Sequence, residues 1–182
     1  GVNISSEVTP HHLFFTDDLL KNYDTNMKVA PPIRSLNDKK ALIQAVKSGL
    51  IDCVATDHAP HAIEDKEKDF NNASCGMIGL ESAFSLVNTI LNDKDFNIES
   101  VIDLFTCKPS KIINITPNLI IEGQKAELNV INPNCKWTFS KYDIKSKSMN
   151  TPVLGKKLIG KIVLTINKGF ISECKNPNTS LN

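Results

Sequence analysis

The sequence lacks an excess of charge of either sign. It contains 21 Lys and Arg against 20 Asp and Glu, which gives a formal net charge of +1. Such a balance offers no basic surface for nucleic acid or for an anionic membrane. No apolar run approaches the ~20 residues that span a bilayer, and no charged-then-apolar leader begins the sequence. We therefore expect a cytoplasmic protein with neither nucleic-acid nor membrane partners.

The sequence also lacks a cysteine pattern suited to disulfides or to a structural zinc site. Its five cysteines are odd in number, lie far apart and never form a Cys-x-x-Cys pair. This pattern is typical of a reducing compartment. Cys53 lies within an apolar run, so we expect it to be a small buried hydrophobe. The 182 residues are 41% hydrophobic, enough for one ordinary domain with a core.

The most informative stretch is a short apolar run that is followed at once by ionisable side chains. Residues 51–56 contain four to five β-capable residues bounded by polar ones, and Pro60 would end a strand. Asp57, His58 and His61 would then follow a buried parallel strand, at the end where α/β proteins keep reactive groups. The alternative is an Asp that caps a helix, followed by a solvated loop.

Two segments before this stretch predict a strand and a helix. Residues 2–10 predict a strand in which Glu7 either faces a cation or metal site or lies at a solvated edge. Ser35 and Asp38 predict a capping box for a helix that ends near Gly49. Strand, helix and strand within about sixty residues predict a βα unit of a parallel sheet.

The remaining elements are simpler to interpret. Adjacent His11 and His12 point in different directions, so at most one would face a site, and we interpret both as loop or packing groups. Residues 64–69 are charged with mixed sign and predict an exposed loop. Further predictions are helices at 16–22 and 80–91, two helices at 98–113 divided near Pro109, and strands around 128–131 and 162–166 that lie apart from the first sheet.

Residues 55–61, ATDHAPH, are similar to the signature of dihydroorotases, the zinc-dependent cyclic amidohydrolases of pyrimidine synthesis. Other segments resemble landmarks of the same family in the same order, and the resemblance extends from the start of the chain to about Gly169. These segments are residues 7–13, 28–34, 76–81, 123–128 and 150–155.

The resemblance implies an α/β fold that is the C-terminal part of a (β/α)8 barrel plus the later strands of a small β-sandwich. Residues 1–116 would be the barrel portion, with residues 1–10 as its seventh strand and residues 51–56 as its eighth. Residues 117–182 would be the sandwich portion.

The resemblance also implies site residues. Asp57 would ligate one metal of a binuclear zinc site and move a proton between the hydroxide and the substrate ring. His61 would bind the substrate's carboxylate, and the backbone at Cys75 and Gly76 would hydrogen-bond the pyrimidine ring. Ala30 stands where the family commonly has an asparagine that touches substrate, so only its backbone could serve. Glu7, from the strand pattern rather than the resemblance, is a candidate to support the site from behind the ligands, with a solvated strand edge as the alternative.

The chain lacks most of the family's metal ligands. It contains no His-x-His pair, and all four of its histidines lie at or after the presumed seventh strand. The implied reaction is the reversible cyclisation of N-carbamoyl-L-aspartate to L-dihydroorotate. A missing N-terminal half or a homo-oligomer would have to complete the site, so we expect the isolated chain to be inactive.

Two alternatives remain open. One is a non-catalytic dihydroorotase-like partner of aspartate transcarbamoylase; intact Asp57 and His61 argue against it, whereas Ala30 argues mildly for it. The other is a different cyclic amidohydrolase, such as an allantoinase or a hydantoinase, for which a different string after Thr56 is expected.

Overall fold

The computed structural model describes residues 2, 4–117 and 119–173 of a mixed α/β chain. Gly1 and Asn3, in the predicted seventh strand, lie outside the described residues, as do Asn118 and residues 174–182, which include Cys174. The elements are β1 (Glu7–Val8), α1 (Pro10–Phe14), α2 (Leu36–Lys47), β2 (Cys53–Val54), α3 (Ile63–Lys66), α4 (Ala83–Leu91), α5 (Ile98–Asp103), α6 (Cys107–Ile112), β3 (Leu128–Thr138), β4 (Lys157–Asn167) and β5 (Phe170–Glu173), with 3-10 turns at Asp17–Asn22, Thr25–Met27 and Lys141–Asp143.

Strands β1 and β2 lie side by side and run parallel, as predicted. Glu7 pairs with Cys53 and Val8 with Val54. Both strands are shorter than predicted. Strand β1 ends at Val8 because the Thr9 side chain accepts a hydrogen bond from the next helix and Pro10 occupies its first turn. Cys53 is buried, as expected. The strand pair therefore delivers the chain after Val54 to the predicted site.

Helix α2 connects these two strands and follows the predicted capping chemistry. The Ser35 side chain accepts from the Asp38 amide, and the Asp38 side chain accepts from the Ser35 amide. The chain leaves the helix at Gly49 in a left-handed conformation, with φ +77°. Val46 is fully buried in the same core cluster as Val8 and Val54. The helix thereby packs against the strands that it joins.

Three predicted boundaries are wrong, each for a local reason. Helix α4 begins at Ala83 rather than residue 80, because the Leu80 amide donates to His58 Nδ1 instead of starting the helix. The helices at 98–113 divide near Thr106, since Pro109 lies in the first turn of α6, where a missing amide costs nothing. Residues 64–69 are not all loop, because α3 extends to Lys66 and buries that residue.

Strands β3, β4 and β5 form an antiparallel sheet in that order, as the late apolar segments indicated. The sheet contacts α4 through polar groups as well as apolar ones. Ser85 Oγ donates to the Gly160 carbonyl at 2.6 Å, and Asn88 Nδ2 donates to the Ile159 carbonyl at 2.9 Å. Helix α4 therefore joins the sheet to the parallel strands. Among the helices described, none combines the length and apolar character that a membrane crossing requires.

Candidate active site

Asp57 lies three residues beyond β2 and has an unusual backbone. Its φ is +48°, a left-handed conformation that few residues other than glycine adopt. The side chain is exposed, and among the described residues no hydrogen bond or ion pair engages its carboxylate. The carboxylate is therefore available to a ligand that the described chain does not itself supply.

His58, the next residue, is held within the chain. Its Nδ1 accepts hydrogen bonds from the amides of Gly79 (3.1 Å) and Leu80 (3.3 Å). Because Nδ1 accepts two amide hydrogens, the neutral ring carries its proton on Nε2, which lies 3.4 Å from Ser146 Oγ. His58 thus fixes the backbone directly after Asp57 to two other segments.

His61 is bound at both its backbone and its ring. Its amide donates to Asn150 Oδ1 at 3.2 Å, and its ring Nε2 donates to the Cys75 carbonyl at 2.8 Å. A carbonyl oxygen has two lone pairs, so that of Cys75 keeps one for a further donor. Three of the sequence-predicted site residues, His61, Cys75 and Gly76, are therefore brought together.

Gly76 is required by this contact. It has a φ of +129°, and a Cβ placed there would lie 2.6 Å from Ala59 Cβ and 2.9 Å from His61 Nε2. Its amide already donates to the Lys28 carbonyl at 2.8 Å. That bond brings the segment containing exposed Ala30 beside the turn at Gly76.

Glu7 takes a different position from the other predicted residues. It is exposed on β1, opposite Cys53, and no hydrogen bond or ion pair joins it to Asp57. Its support of a metal site stays a prediction.

Sequence reasoning gave no role to Asn150, which is 6% exposed at the centre of the site. Its Nδ2 donates to the carbonyls of Ala59 (2.9 Å) and Gly76 (3.2 Å), in addition to the bond that His61 donates to its Oδ1. The motif at 150–155 was visible in the sequence. The function of its first residue was not, since the partners of Asn150 lie 74 to 91 residues away.

Lys66 was also missed, because it lies within a run of mixed charges that usually marks a solvated face. It is 6% exposed, and its Nζ donates to the carbonyls of Ser74 (2.8 Å) and Gly76 (3.0 Å). Burial lowers the pKa of this ammonium group. Lys66 thus binds the Gly76 carbonyl, whereas the Gly76 amide donates to the Lys28 carbonyl.

Glu81 fixes the segment that leads to Asn150. Its Oε1 accepts from the amides of Lys145 (3.0 Å) and Ser146 (2.6 Å) and from Ser146 Oγ (2.6 Å). Burial alone would raise the pKa of Glu81, but these hydrogen bonds outweigh it and lower the pKa. The carboxylate therefore stays ionised and keeps residues 145–150 against the site.

A cleft of about 460 Å³ opens beside His61, Lys66 and Asn150. Its volume lies within the range of small-molecule sites, although Asp57, Cys75 and Gly76 do not line it. Among residues 2, 4–117 and 119–173, no group of three or more His, Cys, Asp or Glu side chains could hold a metal ion. The described chain by itself therefore does not fit a complete zinc site; Asp57 fits one ligand of such a site.

Comparison with known sequences finds similarity to proteins named dihydroorotase. The chain is 44% identical over 177 residues to the dihydroorotase of Caldanaerobacter subterraneus, and the match covers 97% of this chain and 41% of that protein. It is 39% identical over 172 residues to the dihydroorotase of Staphylococcus epidermidis, covering 94% of this chain and 40% of that protein. The chain thus spans about 40% of the length of these curated relatives. No protein-family model matches it.

Comparison with solved structures places the fold among hydantoinases. L-Hydantoinase (dihydropyrimidinase) from Arthrobacter aurescens is similar with a TM-score of 0.79 and 29% identity, over 92% of this chain and 38% of that one. A D-hydantoinase is similar with a TM-score of 0.81 and 19% identity, over 93% of this chain and 40% of that one. The second likeness concerns the fold alone.

Proposed function

We propose that this chain, which is homologous over nearly its whole length to proteins named dihydroorotase, is a portion of a dihydroorotase. The complete enzyme would interconvert N-carbamoyl-L-aspartate and L-dihydroorotate. The observation that carries the proposal is the 44% identity with the Caldanaerobacter dihydroorotase over 177 residues. The free carboxylate of Asp57 and the binding of His61 beside Cys75 are consistent with it.

The architecture we propose is the C-terminal part of an amidohydrolase barrel joined to part of a β-sandwich. Residues 1–116 would contribute the seventh and eighth barrel strands, of which β1 and β2 are the described parts. Residues 117–182 would contribute the sandwich portion, which includes the sheet β3–β5. Parallel pairing of β1 with β2 supports the first assignment, because neighbouring barrel strands are parallel. Antiparallel pairing of β3 to β5 supports the second.

Zinc would be held only partly by this chain. Asp57 would provide one carboxylate, and the other ligands would come from the part of the longer protein that this chain does not contain, or from another copy. Zinc, when bound, makes hydroxide available near neutral pH and polarises a carbonyl. This chain's own contribution would be to accept and return a proton at the Asp57 carboxylate, beside the reacting amide.

Substrate recognition would fall to the loop beside His61. His61, whose ring is already oriented by the Cys75 carbonyl, would bind the substrate's carboxylate. The second lone pair of the Cys75 carbonyl would accept from a ring N–H. The Gly76 amide already donates to the Lys28 carbonyl, so we assign Gly76 a different role: its lack of a side chain permits the close approach of the His61 ring. Ala30 would contribute backbone only.

A chimeric enzyme tests this proposal. This chain would replace the matched segment of the Caldanaerobacter dihydroorotase, and hydrolysis of dihydroorotate would be measured. We expect turnover that Asp57→Ala lowers by about a hundredfold or more and that Asp103→Ala, at an exposed aspartate on α5, leaves unchanged. A soluble, zinc-loaded chimera without turnover would refute the proposal, as would full activity in the Asp57→Ala variant.

A hydantoinase is the second candidate, and the structural similarity to L-hydantoinase at 29% identity is the observation that favours it. Dihydroorotate carries a carboxylate that simple hydantoins lack. If the chimera hydrolysed hydantoin faster than dihydroorotate, and if loss of the His61 ring did not affect that preference, the second candidate would be favoured.

A further inference from the structure

Asn150 lies between the two loops that meet at the candidate site. One loop carries Ala59 and His61, and the other carries Gly76. All three of these residues contact the single side-chain amide of Asn150, which is 6% exposed. The Asn150 carbonyl also accepts from the Ile78 amide at 3.0 Å, so the second loop is bound at two points.

The orientation of the Asn150 amide is fixed by its partners. Nδ2 faces two carbonyl oxygens, which can only accept, and Oδ1 faces the His61 amide, which can only donate. Rotating the amide by half a turn would set an oxygen against two carbonyls and an NH₂ group against an N–H. Asparagine at this position therefore satisfies three backbone groups with one side chain.

We propose that Asn150 is a positioning residue that holds the His61 ring beside the Cys75 carbonyl, where it would meet the substrate's carboxylate. His61 is attached to Asn150 through its own amide, and its ring is attached to the Cys75 carbonyl, next to the Gly76 group that Asn150 also holds. The Asn150 side chain therefore holds the His61 backbone directly and the His61 ring through the Cys75–Gly76 turn. This role in recognition rests on the proposed function.

Asn150 is itself held firmly. Glu81 accepts two amides and one hydroxyl from Lys145 and Ser146, at the start of the same segment. Ser146 also lies 3.4 Å from His58, the residue that follows Asp57. The segment 145–150 thus contacts the His58 ring, next to Asp57, at one end and the His61 amide at the other. A change at Asn150 should act on His61 and leave the Asp57 end in place.

Two measurements test the proposal. In the chimera, Asn150→Ala should raise KM for dihydroorotate about tenfold, equivalent to ~1.4 kcal/mol, with a much smaller change in kcat. In the 182-residue chain, the same substitution should speed hydrogen exchange at the His61 amide about tenfold or more, while the helical Leu86 amide keeps its protection. Asn37→Ala, at an exposed position on α2, is the matched control and should change neither.

The outcomes separate this proposal from the proposed function. An unchanged KM, a loss confined to kcat, or unchanged exchange at His61 would overturn the role of Asn150. If the soluble, zinc-loaded chimera without substitutions shows no turnover, the proposed function fails. Hydrogen exchange at the His61 amide then still tests whether Asn150 positions His61. Asn150→Asp, which keeps the volume but loses both donors, serves if Asn150→Ala does not fold. Loss of Leu86 protection in both variants would also overturn the proposal, because it would assign Asn150 to folding only.

Discussion

His11 makes the stability of this chain depend on pH in a way that can be worked out. It lies on α1, is 2% exposed, and its Nε2 finds no hydrogen-bond partner among the described residues. Burial, and then the neighbouring His12, lower the pKa of His11 from 6.5 to about 3. The sequence-based interpretation of His11 as a packing residue is confirmed by this burial.

The direction of the effect follows from proton linkage. Between pH 6.5 and about 3 the unfolded chain binds a proton at His11 and the folded chain does not, so acid favours unfolding. The stabilisation is complete above pH 6.5 and is lost progressively as the pH falls toward 3. Between pH 7 and pH 5 the loss amounts to ~2 kcal/mol from this residue. Carboxylates contribute little in that window, because in unfolded chains they titrate near pH 4.

Urea unfolding at pH 7 and pH 5 measures the effect. The unsubstituted chain should lose ~2 kcal/mol more than a His11→Leu variant over this interval. His12→Leu is the control, because His12 is only half-buried and its ring already has partners in Thr9 and Pro31. That variant should keep most of the pH dependence. Equal losses in the unsubstituted chain and in His11→Leu would refute the reasoning.

Two other predictions concern the turn at the site. Gly76→Ala should lower the free energy of unfolding by about 1–3 kcal/mol more than Gly123→Ala, and it should displace His61. Gly123→Ala is the control, because a Cβ at residue 123 meets nothing within 4 Å. Equal urea midpoints for the two variants would contradict the predicted clash at Gly76. Lys66→Met should cost about 1–3 kcal/mol, because it removes the ammonium donor from the Ser74 carbonyl and leaves the Gly76 carbonyl with Asn150 alone. Exposed Lys68→Met is its control, and an equally small loss in both variants would argue that water replaces the ammonium group.

Short-range chemistry in this chain was predictable from the sequence. The capping box of Ser35 and Asp38 spans three residues, so its partners are visible in the sequence. The parallel pairing of β1 and β2 followed from two apolar runs joined by a helix. In both cases the signal and the structure that it specifies lie within one supersecondary unit.

Long-range polar contacts were not predictable in the same way. Asn150 and Lys66 donate hydrogen bonds to backbone carbonyls. Every residue carries such a carbonyl, whatever its side chain, so no residue type in the sequence marks the partner. The start of α4 was misplaced for a related reason, since the Leu80 amide binds His58, 22 residues away. The motif residues at the site were found through family resemblance, whereas the side chains that hold them required the fold.

The most direct test of the account is the turnover of dihydroorotate by the chimera with and without the Asp57 carboxylate. If this chain supplies that carboxylate to a dihydroorotase site, kcat/KM should fall by about a hundredfold to ten-thousandfold in Asp57→Ala. Hydrogen exchange should show that this variant keeps its fold, and Asp103→Ala should keep its kcat/KM. Equal kcat/KM values for the chimera and its Asp57→Ala variant would contradict the account.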